Sequence, residues 1–427
     1  MKYRIALVLI AFLSVALATV ERAYTSADNN NAHLTIYDVG IAEFLEERTV
    51  ELQTGLNTMQ WRNLMPKAFL QTVRVVAEGA EVVRQDVTYD GVEVRNEKAP
   101  VLHLVINNKG AATSKRVRVD YLAPDIDWQN DYSLVLEPTA QDAPPTAAGL
   151  DAWVSIFNRT GTDLKAGTVD LVAGELSLLL GEGRFNRDAL VAQNIAPRNF
   201  ADESNAGESS AESTTLSAFN RFRLGNNITL NANAPVSRFP LFQRARIGVE
   251  QRLVFENQYN TQTLARGGFN LLPRGLEVRL VSRNTVGVPM PAGQVTIYSG
   301  TNELVQIVGQ DRIGYTATNG EFTVSQGRSS TVLGTRRILE RRTEDYQDQK
   351  NRSREKLLTK VELVIINRGT RPIEAYIREG IEPYGENQWS ILESPVPAER
   401  LGANIVQFKV NVAAAGKTVV VYRVETK

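Results

Sequence analysis

The sequence predicts a mainly β protein built of antiparallel β-sandwich domains, the C-terminal one immunoglobulin-like in size. Three observations carry this. Apolar and polar residues alternate at period two through most of the chain, which puts every second side chain on one face of a strand. Gly, Asn, Asp and Pro close these runs every ~8 to 12 residues, the spacing of short sandwich strands. No amphipathic helical pattern of useful length separates them, so a parallel α/β sheet would lack its crossovers.

The N-terminus departs from the alternation. Lys2 and Arg4 precede an apolar run, Ile5 to Leu17, and Ala16-Leu17-Ala18 has the small-x-small form that signal peptidase cuts. Residues 1–18 read as a signal peptide cleaved after Ala18, and 19–32 as a polar linker. The run is too short for a membrane span, and no later segment reaches the ~20 residues a spanning helix needs. The expected location is outside the cytoplasm: periplasmic, cell-surface or secreted. There is no Cys, which rules out disulfides and a lipid anchor on Cys.

From His33 the strands begin. His33 to Tyr37 leads through Asp38-Val39-Gly40 into Ile41 to Phe44, and Thr49 to Leu52 leads through Thr54-Gly55 into Thr58 to Trp61. Both pairs are expected to be hairpins. Further strands are expected at Val73–Val76, Val82–Tyr89 and Val101–Ile106.

One device then recurs four times. An apolar run ends in Asn, a Gly follows at short range, and a second alternating run begins: Asn107-Asn108-Lys109-Gly110, Asn158-Arg159-Thr160-Gly161, Asn284-Thr285-Val286-Gly287 and Asn367-Arg368-Gly369. Asn and Gly tolerate a left-handed backbone, and an Asn side chain can bond its own turn. Asn107, Asn158, Asn284 and Asn367 are read as the turn residues, and Trp153 and Phe157 as core residues on one face of a strand.

The region 33–274 is expected to form an N-terminal and central β-rich part, and 275–427 a C-terminal sandwich, divided at Leu272-Pro273-Arg274-Gly275. Within the first part, 183–219 reads as a mobile polar excursion, since Gly207 to Thr214 carries little apolar area to bury. Arg336 to Lys360 holds nine Lys or Arg against five Asp or Glu. It reads as a binding patch for nucleic acid or another anionic polymer or, more simply, as two long exposed strands with opposite charges interleaved.

Charge and residue inventory restrict the chemistry. Lys and Arg number 48, as do Asp and Glu, so there is no basic excess to neutralise phosphates and no nucleic-acid partner is expected. With two histidines and no Cys, metal and nucleophile sets are scarce, and no cofactor is implied. His103 lies between Leu102 and Leu104 and points away from them; His33 is given no role. No Gly-x-Ser-x-Gly, His-Glu-x-x-His or Gly-rich phosphate loop is present.

Paired carboxylates remain. Asp125 and Asp127 beside Trp128 would supply the acids and the aromatic platform of a sugar site, or else a solvated turn before a core Trp. Glu379, Glu382 and Trp389 form a similar group. The triplets at Asn158, Asn227 and Asn351 match a glycosylation acceptor but are read as turns.

Several segments together resemble a known family. Ala152 to Asn158 with Leu171-Val172-Ala173-Gly174, Arg238-Phe239-Pro240-Leu241-Phe242, Pro289-Met290-Pro291-Ala292-Gly293 with Val295 to Tyr298, Val420 to Val424, and the opening Leu34 to Asn63 are similar to the mucoidy-inhibitor-like bacterial exported proteins. Those share a C-terminal domain of unknown function. The resemblance implies a mostly β exported protein linked to the cell envelope or surface polysaccharide, and it brings no catalytic residues. This chain lacks the coiled-coil insert of the longer members.

Two expectations follow. The first is a non-catalytic envelope protein that binds a protein or polysaccharide partner. The alternative is a carbohydrate-active enzyme using paired carboxylates, with Asp125, Asp127, Trp128 and Trp389 as candidate ligand contacts.

Overall fold

A computed structural model describes residues 22–24, 31–62, 64–91, 93–94, 97–139, 143–173, 178–179, 184–185, 220–257, 271–300, 304–348, 350, 352–381 and 388–427. Apart from a 3-10 turn at Leu70–Thr72, the regular elements among them are strands. The strands are β1 (Arg22–Tyr24), β2 (Asn31–Tyr37), β3 (Ile41–Leu52), β4 (Gly55–Trp61), β5 (Arg74–Ala77), β6 (Glu81–Thr88), β7 (Glu93–Val94), β8 (Glu97–Lys98), β9 (Val101–Asn108), β10 (Thr113–Pro124), β11 (Ile126–Leu136), β12 (Ala147–Asn158) and β13 (Leu164–Ala173). They continue as β14 (Leu178–Leu179), β15 (Arg184–Phe185), β16 (Asn220–Leu230), β17 (Ser237–Asn257), β18 (Leu271–Arg283), β19 (Gly293–Gly300), β20 (Val305–Ile313), β21 (Glu321–Gln347), β22 (Ser353–Asn367), β23 (Ile373–Gly380), β24 (Trp389–Glu393), β25 (Ala398–Arg400), β26 (Ile405–Val412) and β27 (Lys417–Thr426).

The chain divides into two compact units, one of residues 1–128 and 155–238, the other of 129–154 and 239–427. The expected boundary at 275 falls inside β18. The Pro and Gly of Leu272-Pro273-Arg274-Gly275, which in sequence mark a linker, sit where the register against β21 shifts, between Leu271 and Arg274 and between Gly275 and Glu277. Bulges are where a strand tolerates a Pro. The expected linker 19–32 also contains strand: Arg22–Tyr24 pairs parallel with Met59–Trp61, and β2 starts at Asn31. Most of the 183–219 stretch lies outside the described residues, save Arg184–Phe185, which pairs with Leu178–Leu179.

The first unit holds a four-stranded sheet, β1-β4-β9-β6, and a six-stranded sheet, β16-β13-β2-β3-β10-β5. β2 and β3 form the expected hairpin. The other expected hairpin does not form: β3 belongs to one sheet and β4 to the other. Gly55, at φ 90, sits where the chain leaves β3 for β4, a backbone state that Gly adopts readily. Alternation alone cannot tell a hairpin from such a corner.

Strand β3 has the burial pattern of a sheet with one covered face, with Ala42, Phe44, Val50 and Leu52 inward. Two charged residues share that inward face. Glu46 accepts from Arg48 at 2.7 Å and from Trp61 Nε1 at 3.2 Å, while the Tyr121 hydroxyl donates at 3.3 Å. The Arg48 guanidinium lies 3.9 Å over the Trp61 ring.

Among its described residues the second unit carries a thirteen-stranded sheet and two apolar cores. One is built around Tyr132, Leu134, Leu150, Val249, Leu280, Ile297 and Val324. The other is built around Phe255, Leu276, Leu363, Ile377, Phe408 and Tyr422. Each buried side chain of this size stabilises by about 1.5–3 kcal/mol on the transfer scale. Pairing is mostly antiparallel, with parallel contacts at β1–β4, β2–β13, β11–β19 and β17–β23, where strands distant in sequence meet.

The four Asn turns are one structural device, with two corrections. The first copy uses Asn108, not Asn107. The four Asn residues are also not left-handed: positive φ falls on Gly161 and Gly287. Each Asn is buried and closes its turn through its side chain. Asn158 Oδ1 accepts from the Thr160 N–H at 3.1 Å, while Nδ2 donates to the carbonyls of Thr162 and Leu230, both at 2.9 Å. Asn367 accepts from Gly369 and donates to Arg371 and Ala413. Asn284 does the same with Val286, Val288 and Thr316, and Asn108 with Gly110 and Ala111. The side chain supplies the bonds that a buried turn backbone otherwise lacks.

Trp153 and Phe157 are half-buried on either side of the buried Ser155, on the face opposite the fully buried Ala152, Val154 and Ile156. Alternation set the period correctly but not which phase faces inward.

Candidate functional site

Among the described residues of the first unit, Met65, Pro66, Lys67, Glu97, Ala123, Pro124, Asp125, Arg159 and Thr160 line a cavity of about 70 Å3. Two turns build it. Asp125, between β10 and β11, takes φ 69, a state that Asp tolerates better than most residues. Its carbonyl accepts the Arg159 N–H at 2.8 Å, which ties it to the turn that follows Asn158.

The side chains around the opening alternate in sign. Lys67 Nζ lies 2.9 Å from Asp125 Oδ2 and 3.9 Å from Glu97 Oε1. Those two oxygens are therefore at most roughly 7 Å apart, an upper bound that reaches the carboxyl separations of glycosidase pairs. The Lys67 ammonium is in reach of both carboxylates. Arg159, whose guanidinium stacks 5.1 Å from the Phe157 ring, and Thr160 complete the rim.

The candidate residues separate. Asp125 lines the cavity, whereas Asp127 turns back to accept its neighbour Trp128's N–H at 2.8 Å. Trp128 is 4% exposed and does not line the cavity, so it forms no platform for a sugar. Trp389 lies at the edge strand β24, half-buried, with Nε1 donating to the Ala403 carbonyl at 2.6 Å and the Arg400 guanidinium stacked 4.5 Å above it. Glu379 is fully buried, bonded to Arg336 and Tyr422. Burial pushes its carboxyl up, with Arg336 opposing. Glu382 lies outside the described residues, as does Asn351.

The run Arg336–Lys360 forms the paired ends of β21 and β22, with charges matched across and along the strands. Arg342 meets Glu344 at 3.0 Å, Lys356 meets Glu425 at 2.8 Å and Arg352 meets Asp348 at 2.8 Å. Backbone N–H groups of Arg352 and Lys350 and the Arg352 side chain hold the Asp348 carboxyl down to about 2.

A second polar group was not legible. On the outer face of the six-stranded sheet, His33 of β2 stands beside Thr168 of β13, and Asp170 is paired with Arg223 of β16. His33 Nδ1 contacts the Thr168 hydroxyl, and Nε2 is 3.3 Å from Asp170 Oδ2. Asp170, fully buried, takes Arg223 on both oxygens at 3.0 and 3.3 Å, and also pairs with Arg221. Burial raises its carboxyl, but the two arginines outweigh that and hold it low. Burial lowers the His33 imidazole, with Asp170 opposing and Arg221 and Arg223 adding to the shift. The alternation Arg221-Phe222-Arg223, with Phe222 buried, marks the outward arginines in the sequence; their shared partner Asp170 is brought to them only by strand pairing far along the chain.

His103, by contrast, bonds the Thr88 hydroxyl at 2.9 Å. No group of three or more metal-ligating side chains occurs among the described residues, and none of the helices described is long and apolar enough to cross a membrane.

No family model matches the chain, and no curated protein matches it.

Proposed function

We propose that this chain is an exported, non-catalytic β protein of the cell envelope that binds a glycan through the Lys67–Glu97–Asp125–Arg159 cavity. The observation that carries this is the Lys67 ammonium engaging two carboxylates at once, Asp125 at 2.9 Å and Glu97 at 3.9 Å. A glycosidase keeps its carboxylate pair for the scissile bond. Engaged by a cation, the same residues offer donors and acceptors side by side, which suits the hydroxyl groups of a sugar. About 70 Å3 accommodates one edge of a sugar ring, so a chain of sugars would run across the opening. Export rests on the Lys2–Ala18 pattern, and the envelope role on the likeness to the mucoidy-inhibitor-like proteins. The C-terminal core, of immunoglobulin-like size, serves as scaffold.

The second reading, a carbohydrate-active enzyme, draws on the Asp125–Glu97 spacing. The two separate experimentally. Chain recovered from bacterial envelopes should begin at Thr19 by intact mass, and immobilised protein should retain envelope polysaccharide. Asp125→Asn combined with Lys67→Ala should abolish retention. Release of new reducing ends by the wild type, lost in Asp125→Asn, would establish the enzyme instead.

A further inference from the structure

Among the described residues, strand β6 closes one edge of the four-stranded sheet and is paired on one side only, with β9. Six of its eight residues are exposed. Val83 is 54% exposed and Tyr89, just past its end, 57%. Such an edge presents open N–H and C=O groups to any strand that can match it. Its sequence is self-complementary about Gln85: in Val83-Arg84-Gln85-Asp86-Val87, a two-fold exchange sets Arg84 against Asp86.

We propose that β6 pairs antiparallel with β6 of a second copy of this chain, about a two-fold axis at Gln85, joining two sheets into one. In this register Arg84 of each copy stands opposite Asp86 of the other. Two-fold registers centred one residue away set Arg84 against Arg84 or Asp86 against Asp86, and like charges directly opposite are destabilising. Charge therefore selects both the partner and the register. A two-fold interface uses the same patch twice, which is what this stretch provides. Within one strand Arg84 Nε and Asp86 Oδ2 are 2.7 Å apart, so pairing gives each charge a second partner. The ladder against β9 shifts between Val82 and Arg84, which makes Arg84 to Asp86 the regular centre of the contact and limits its area to that of a weak, reversible association.

Sedimentation velocity of the purified full chain over a micromolar series tests this. The wild type should show a concentration-dependent dimer. Arg84→Asp and Asp86→Arg should each weaken it at least ~10-fold, since each sets like charges opposite one another at two positions. Mixing the two variants should restore association, because one strand then carries two Asp and the other two Arg. The swap R84D/D86R should dimerise with itself. As the chain has no Cys, Gln85→Cys should give a disulfide-linked dimer on oxidation. Thr88→Cys should not, since its two copies would lie ~20 Å apart along the strands. Unchanged melting temperatures would show that the single variants still fold. A wild type that stays monomeric throughout, a dimer indifferent to either single variant, or variants that do not recover on mixing would overturn the proposal.

Discussion

Arg336 Nε donates to Glu379 Oε2 across 2.8 Å, and the Tyr422 hydroxyl donates to the same oxygen at 2.9 Å, all three side chains lying inside the C-terminal core. Removing one member of such a pair leaves the other charged and buried, which costs about 3–5 kcal/mol, whereas replacing both by apolar groups is often neutral. Glu379→Ala should therefore lower the urea midpoint of the C-terminal unit strongly, and Arg336→Met likewise. The double variant R336M/E379L should recover most of the loss. Additive losses in that cycle would show that the two side chains act independently.

The Asn turns make a sharper stability prediction because chemistry alone separates the variants. Asn367→Asp and Asn158→Asp keep the shape and the acceptor but remove both Nδ2 donations, leaving buried carbonyls unmatched. Each should cost about 1–3 kcal/mol in chemical denaturation. Asn107→Ala, beside the turn residue Asn108, should stay within ~0.5 kcal/mol of the wild type.

Gly334 packs under Phe255 so closely that a Cβ there would lie 2.3 Å from the ring. Gly334→Ala should cost about 1–3 kcal/mol through overpacking, read as a lower thermal midpoint. Adding Phe255→Leu, which shrinks the opposing group, should return part of that loss.

His33 gives a pH dependence with a defined sign. Its folded pKa lies below the ordinary 6.5, so between those two values the unfolded chain binds more protons than the folded one. Stability conferred by the neutral imidazole is complete above 6.5 and falls as pH drops through that window. The groups facing His33 are Asp170 on β13, Arg221 and Arg223 on β16, and Glu43 on β3. Urea titrations from pH 7.5 to 5 should show a decline that His33→Gln flattens; an identical decline in that variant would assign it elsewhere.

The strands were legible because period two is a local property: β2, β5, β6 and β9 lie where alternation put them. What the alternation left open was phase and partner. Trp153 and Phe157 share a face as expected but are only half-buried there, and β3 passes to a second sheet through Gly55 instead of folding back as a hairpin. Glu46 and Arg48 share an inward face with Phe44 and Val50, yet Glu-x-Arg in a strand looks like a solvated edge until Trp61 and Tyr121 arrive from other strands. The cavity was half visible. Asp125 stood out as a carboxylate beside Pro124 and a Trp, but Lys67 and Glu97 reach it only through the fold, and the Trp that drew attention to it packs inside.

Isothermal titration calorimetry of the purified chain with envelope polysaccharide reads glycan binding at the Lys67–Asp125 cavity. The heats should saturate at a fixed stoichiometry and disappear in K67A/D125A, with that variant retaining the wild-type melting temperature. A sustained heat flow after each injection, the mark of continuing hydrolysis, would contradict it. So would saturating heats that the double substitution leaves unchanged.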